Sequence, residues 1–121
     1  MSKKKTILLG ASDNPSRYSY LAVEKLIRYG HPVIAIGRKE GKIGQTNIII
    51  THPTEKEVDT VTLYLNPALQ KQYYEYIVSL HPKRLIFNPG TENEELNDLA
   101  KLNGIEPVEA CTLVLLGTGQ Y

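Results

Sequence analysis

The strongest constraint on this chain is a repeating order of short apolar runs and longer amphipathic stretches. The first run, Thr6-Ile7-Leu8-Leu9, is continuously β-branched and aliphatic and stops at Gly10, as expected of a strand buried on both sides. A turn-rich segment follows. A helix is then predicted from about residue 16 or 17 to 29, with Tyr18, Leu21, Ala22, Lys25, Leu26 and Tyr29 at helical spacing. Gly30 suits the left-handed position past its end. The strand pattern recurs at 33–37, 61–65, 84–87 and 105–109, with Ile48-Ile49-Ile50 as a short further run. Asn66-Pro67 opens a helix whose stripe is Leu69, Tyr73, Tyr76, Ile77 and Leu80, read as core and rim. Thr91 and Glu94 read as a capping box ahead of Leu96, Leu99 and Ala100.

Repeated strand–helix–strand units need right-handed crossovers, which lay helices on both faces of a parallel sheet. The expected fold is one doubly wound α/β domain over residues 1–121, with about five parallel strands. Such a length can enclose a single core. Lys and Arg number 14 against 13 Asp and Glu, so no strongly basic face is offered to nucleic acid. The single cysteine, Cys111, can form no internal disulfide. No apolar run approaches a membrane span, and the stretch after Lys3-Lys4-Lys5 is too short for a signal peptide. His31, His52 and His81 are dispersed and offer no metal-ligand spacing. A cytoplasmic protein without nucleic-acid or membrane partners is the expectation.

In doubly wound sheets, ligands bind beyond the carboxyl ends of the strands, where strand order reverses. That edge collects residues 10–18, 37–42, 66–67 and 88–91. Gly10 removes a side chain where backbone would approach a phosphate, and the helix start behind it favours an anion. Ser12 adds a hydroxyl and Arg17 a guanidinium suited to phosphate. The dinucleotide fingerprint G-x-G-x-x-G is missing, since the loop reads Gly10-Ala11-Ser12-Asp13-Asn14-Pro15. The second strand ends in Gly37-Arg38-Lys39, with Lys42 close behind, where a dinucleotide fold keeps an acid for the ribose. A small nucleotide carrying a ribose phosphate fits better than NAD; coenzyme A and NADP both meet that description.

Residues 10–20, Gly-Ala-Ser-Asp-Asn-Pro-Ser-Arg-Tyr-Ser-Tyr, resemble the signature of the small bacterial CoA-binding proteins. These in turn resemble the N-terminal CoA-binding domain of the succinyl-CoA synthetase α-subunit. The likeness continues through Gly30-His31-Pro32-Val33-Ile34, through residues 88–95 and through residues 103–108, so it covers nearly the whole chain. It implies a Rossmann-like domain that binds coenzyme A or an acyl-CoA. Carried over by position, Gly10, Ala11, Ser12 and Arg17 would hold the phosphate region, with Tyr18 and Ser19 beside it. Arg38, Lys39 and Lys42 would approach the adenosine end and its 3′-phosphate. Asn66, Asn88, Pro89, Gly90 and Thr91 would line the rest of the groove. Family members commonly show Asn-Pro where this chain has Gly37-Arg38, and residues 41–51 also depart from the family pattern.

A ligase of the succinyl-CoA synthetase kind needs a phosphohistidine on a second domain. His31 and His81 instead precede strands, on the edge opposite the ligand loops, and His52 has no acidic orienting partner. Cys111 has no basic neighbour within five positions and reads as a buried or half-buried thiol. Glu92, Glu94 and Glu95 read as helix-dipole compensation. No nucleophile, base and orienting group assemble. The expectation is binding without chemistry. An NADP-linked or other nucleotide-binding enzyme, or a partner-binding domain that has lost its ligand, are the alternatives.

Overall fold

The computed structural model describes residues 3–121. Seven strands form one sheet: β1 (Thr6–Ala11), β2 (Val33–Gly37), β3 (Gly41–Ile43), β4 (Thr46–Ile49), β5 (Thr60–Leu63), β6 (Arg84–Phe87) and β7 (Glu106–Glu109). Five helices accompany them: α1 (Tyr18–Arg28), α2 (Pro67–Gln70), α3 (Tyr74–Leu80), α4 (Glu94–Leu102) and α5 (Thr112–Gly117). The strand order is β3-β4-β2-β1-β5-β6-β7. Every pairing is parallel except that of β3 with β4. The architecture is the expected doubly wound, Rossmann-like domain, with seven strands where about five were expected.

The two extra strands have a local cause. Residues 41–49 form a tight hairpin around Gly44 and Gln45, which sets β3 antiparallel on the sheet edge and β4 parallel to β2. The Ile48 run is thus strand, but it begins at Thr46 and ends at Ile49. No helix joins β4 to β5.

Alternation along the strands feeds two separate cores. Ile7 and Leu9 of β1, Ile36 of β2, Val61 and Leu63 of β5, and Leu85 and Phe87 of β6 pack with Ile77 of α3 and Leu96 of α4. Leu8 and Ala35 point the other way and meet Ala22, Val23 and Leu26 of α1 with Leu116 of α5. Burying each large aliphatic side chain contributes roughly 1.5–3 kcal/mol. The buried face of α1 is Ser19, Ala22, Val23 and Leu26, rotated from the expected stripe. Small residues at 19 and 22 bring the helix close to the sheet, leaving Tyr18 at 72% exposure and Leu21 at 40%.

Three other expectations are corrected. The helix opened by Asn66-Pro67 is not continuous: α2 ends at Gln70, a 3₁₀ turn spans Lys71–Tyr73, and α3 begins at Tyr74. Asn66 does cap α2, its side-chain oxygen accepting from the Leu69 amide at 3.0 Å. The cap of α4 is Asn93, whose Oδ1 accepts from the Leu96 amide. Thr91 does not cap it; its hydroxyl donates to the Asn88 carbonyl at 2.8 Å. Glu94 and Glu95 occupy the first turn of α4, a favourable place for negative charge. Finally, α5 lies beyond the last element read from the sequence, and it packs against α1.

Candidate functional site

Strand β1 sits at the reversal of strand order, with β2 reached through α1 on one side and β5 on the other. Where the carboxyl ends of these three strands diverge, a cleft of about 920 Å³ opens. That is the place and the size expected of a ligand site in such a sheet.

The floor is the β1–α1 loop. Gly10 has φ +99°, and a Cβ there would stand 2.7 Å from the Tyr64 carbonyl oxygen. The glycine is therefore needed for the close passage of β1 past the end of β5, and not only for access by a ligand. Beyond it, Ser12 Oγ accepts from the Asn14 amide at 3.1 Å, and Asn14 Oδ1 accepts from the Ser16 amide and hydroxyl. The Ser12 hydroxyl thus shapes the loop with its lone pair while its proton is uncommitted. The Arg17 amide donates to the Asn14 carbonyl, which delivers the chain into α1.

The start of α1 is open. Arg17 at the N-cap makes no side-chain cap, and the first turn holds no acid. Among the described residues, the Tyr18 and Ser19 amides donate to no backbone or side-chain acceptor, whereas those of Tyr20 and Leu21 already bond to the Arg17 carbonyl. Unpaired amides at the positive end of an 11-residue helix form an anion-binding arrangement.

Side chains complete the walls. Arg17, Tyr18 and Ser19 lie on the α1 side, and Arg38, Lys39 and Glu40 come from the end of β2. Tyr64, Leu65, Asn66 and Leu69 form the β5 side. Three cations therefore face two acids, Asp13 and Glu40. The Arg38 cation also bears on Tyr73, where it opposes the upward push that burial gives the phenol.

The structure brings Gly10, Ala11, Ser12, Arg17, Tyr18, Ser19, Arg38, Lys39 and Asn66 together around one cleft. Lys42 projects from β3 outside it. Asn88, Pro89, Gly90 and Thr91 share the same sheet edge but lie one strand further on, outside the lining. Asn88 is 1% exposed and its side chain is committed internally: it donates to Thr62 Oγ1 and the Leu63 carbonyl and accepts from the Thr112 amide. It ties β5, β6 and α5 together. Tyr64, Leu65 and Leu69 were read from the sequence as strand or helix core. Strand β5 ends at Leu63, two residues short of the expected 65, and this earlier end puts Tyr64 and Leu65 at the cleft beside Leu69 of α2.

The remaining candidates for chemistry stand apart. His31 is buried at the joint of α1 and β2, its Nδ1 accepting from the Lys4 amide at 2.9 Å. His52 packs against Tyr73, tilted at a centroid distance of 4.8 Å, and stacks on Tyr76 at 5.0 Å. His81 ends α3 in a left-handed conformation. Cys111 is half-buried, and the described residues hold no group of three or more His, Cys, Asp or Glu disposed for a metal ion. No helix among them is long and apolar enough to cross a membrane.

The model of a CoA-binding domain family matches residues 4–117. A crystal structure of an uncharacterized protein superposes with a TM-score of 0.97 at 53% identity, covering 100% of both chains. A hypothetical protein from Pyrococcus horikoshii OT3 gives 0.84 at 24% identity, over 93% of this chain and 80% of that one. A dinucleotide-forming acetyl-coenzyme A synthetase from Ca. Korarchaeum cryptofilum, solved with phosphate and ADP, shares the fold at 0.70 and 18% identity. That match spans 88% of this chain and 26% of the synthetase. A search of curated proteins gives no significant match.

Proposed function

Because the chain belongs to the family of CoA-binding domains, we propose that its cleft holds coenzyme A or an acyl-CoA and that the protein binds this ligand without turning it over. The observation that carries the reading is the meeting of an uncapped α1 N-terminus with Arg17, Arg38 and Lys39 in one cleft at the strand-order reversal. The pyrophosphate lies at the amides of Tyr18 and Ser19, over Gly10, Ala11 and Ser12, with Arg17 alongside. The adenosine end and its 3′-phosphate extend toward Arg38 and Lys39. The pantetheine arm crosses β1 in the opposite direction, along Tyr64, Leu65, Asn66 and Leu69. Asn88, Pro89, Gly90 and Thr91 support this wall from behind.

Charge-assisted contacts to a phosphate are worth about 1.5–3 kcal/mol before solvent screening. Arg38 and Lys39 are exposed, so solvent screening brings each contact below that range, to about 0.2–1 kcal/mol. Replacing both, Arg38→Ala with Lys39→Ala, is expected to weaken CoA about tenfold in titration calorimetry and dephospho-CoA much less. Equal losses for the two ligands remove the 3′-phosphate assignment. Tighter binding of NADP than of CoA by the wild type overturns the choice of ligand.

A further inference from the structure

Behind the β5-side wall of the cleft lies a polar group that no solvent reaches. Gln70, the last residue of α2, is 0% exposed. Its Nε2 donates to the Leu65 carbonyl and to the Thr91 carbonyl, each at 2.8 Å. Its Oε1 accepts from Asn93 Nδ2 at 2.9 Å. Asn93 Nδ2 also donates to the Tyr74 hydroxyl at 2.9 Å, and that hydroxyl donates to Glu95 Oε1 at 3.0 Å. One carboxamide therefore joins the cleft wall at Leu65, the β6–α4 loop at Thr91 and the cap of α4 at Asn93. The helical path breaks into a 3₁₀ turn directly after it.

A buried amide with both N–H donors and its carbonyl oxygen paired holds its partners in one arrangement, because any shift leaves a polar group unpaired in a dry interior. The group held here is the segment from Leu65 to Leu69, which closes one side of the cleft. The opposite side depends on other elements: the β1–α1 loop and the end of β2 make no hydrogen bond to Gln70. The geometry points to Gln70 as a positioning residue that, with Asn93, sets the β5-side wall and thereby the grip on the ligand's arm beyond the pyrophosphate. This rests on the CoA reading above. It also gives the 88–91 segment a role at the site without contact: Thr91 acts on the wall through Gln70.

Two ligands separate the halves of the cleft. Coenzyme A reaches both sides, whereas adenosine 3′,5′-bisphosphate reaches only the phosphate loop and the Arg38–Lys39 side. Gln70→Met keeps the length and removes all three hydrogen bonds. Asn93→Asp keeps a good helix cap and removes the donor to Gln70 Oε1. Both variants and the wild type are titrated with both ligands. Gln70→Met is expected to weaken CoA about tenfold, the order of one to two lost hydrogen bonds, and to leave the bisphosphate within about twofold. Asn93→Asp should show the same split in smaller degree, and it decides alone if Gln70→Met does not fold. Equal weakening of both ligands, which general destabilisation would produce, overturns the positioning role, and so does unchanged CoA binding. Failure of the wild type to bind either ligand overturns the CoA reading instead.

Discussion

A methyl group added at Gly10 would stand 2.7 Å from the Tyr64 carbonyl oxygen and 3.1 Å from Leu65 Cδ2, on a backbone with φ +99°. The positive φ alone costs a side chain roughly 1–3 kcal/mol, and the contact with a backbone atom adds to it. Gly10→Ala should therefore lower the urea midpoint clearly, even without ligand. From the sequence this residue reads only as an opening for phosphate, because the neighbour that demands a glycine, Tyr64, is 54 positions away. His31 shows the same limit. Its place at a helix–strand joint is legible, whereas the surroundings that govern its charge come from distant segments. Burial first, then the Lys4 and Arg84 cations, hold its pKa below the ordinary 6.5, while Asp59 pulls it up. The unfolded chain thus takes up the proton before the folded one does. This contribution to stability is complete above pH 6.5 and is lost as the pH falls through that value toward the lowered folded pKa. Urea titrations at pH 7.5 and 5.5 should show a larger fall for wild type than for His31→Asn, whose amide oxygen can still accept from Lys4.

Single elements reveal which local signals survive folding. The approach to α4 reads Thr-Glu-Asn-Glu-Glu, which offers two cap residues, Thr91 and Asn93, of which only Thr91 has a Glu three positions on. The Thr91 reading fails because Gln70 draws the Thr91 carbonyl inward and the chain turns helical only after Asn93. Asn93→Ala should cost about 1 kcal/mol for the cap, with more from the loss of its bond to Gln70, and Glu94→Gln should change little. Thermal melts of the two variants test the assignment. Helix α5 escapes a sequence reading for a different reason. Six residues that run Thr-Leu-Val-Leu-Leu-Gly show no helical period, and its N-cap, Cys111, makes no side-chain cap. The β3–β4 hairpin is equally faint, since Gly41-Lys42-Ile43 carries a single buried apolar residue, Ile43. Long amphipathic elements declare themselves by repetition, and short ones are fixed by what they land on.

Across the whole molecule, strand alternation and crossover handedness suffice to place the cleft. The ends of β1, β2 and β5 meet where strand order reverses, and the basic residues after β2 arrive there by topology. What the alternation cannot convey is depth: residues 88–91 share the edge, yet they stand behind the wall because Asn88 turns inward to Thr62 and Thr112. A ligand bridging β1, β2 and β5 binds only the folded state and must raise its stability. CoA at 100 times its Kd should add about 2.7 kcal/mol, visible as a higher melting temperature, with NAD giving a much smaller shift. Raising the salt concentration should reduce the CoA shift, since Arg38 and Lys39 are exposed.

The central position of β1 carries a consequence for the order in which this protein can be made. Strand β1 is made before both of its partners: β2 lies about 27 residues later and β5 about 54 residues later, in register with Thr6. Among the described strands only β3 and β4 close through a tight turn, and that hairpin lies at the periphery. A nascent chain therefore exposes the most apolar strand of the sheet while its second flank is still unsynthesised. Such non-local closure is slow and leaves β1 open to misassociation until β5 arrives.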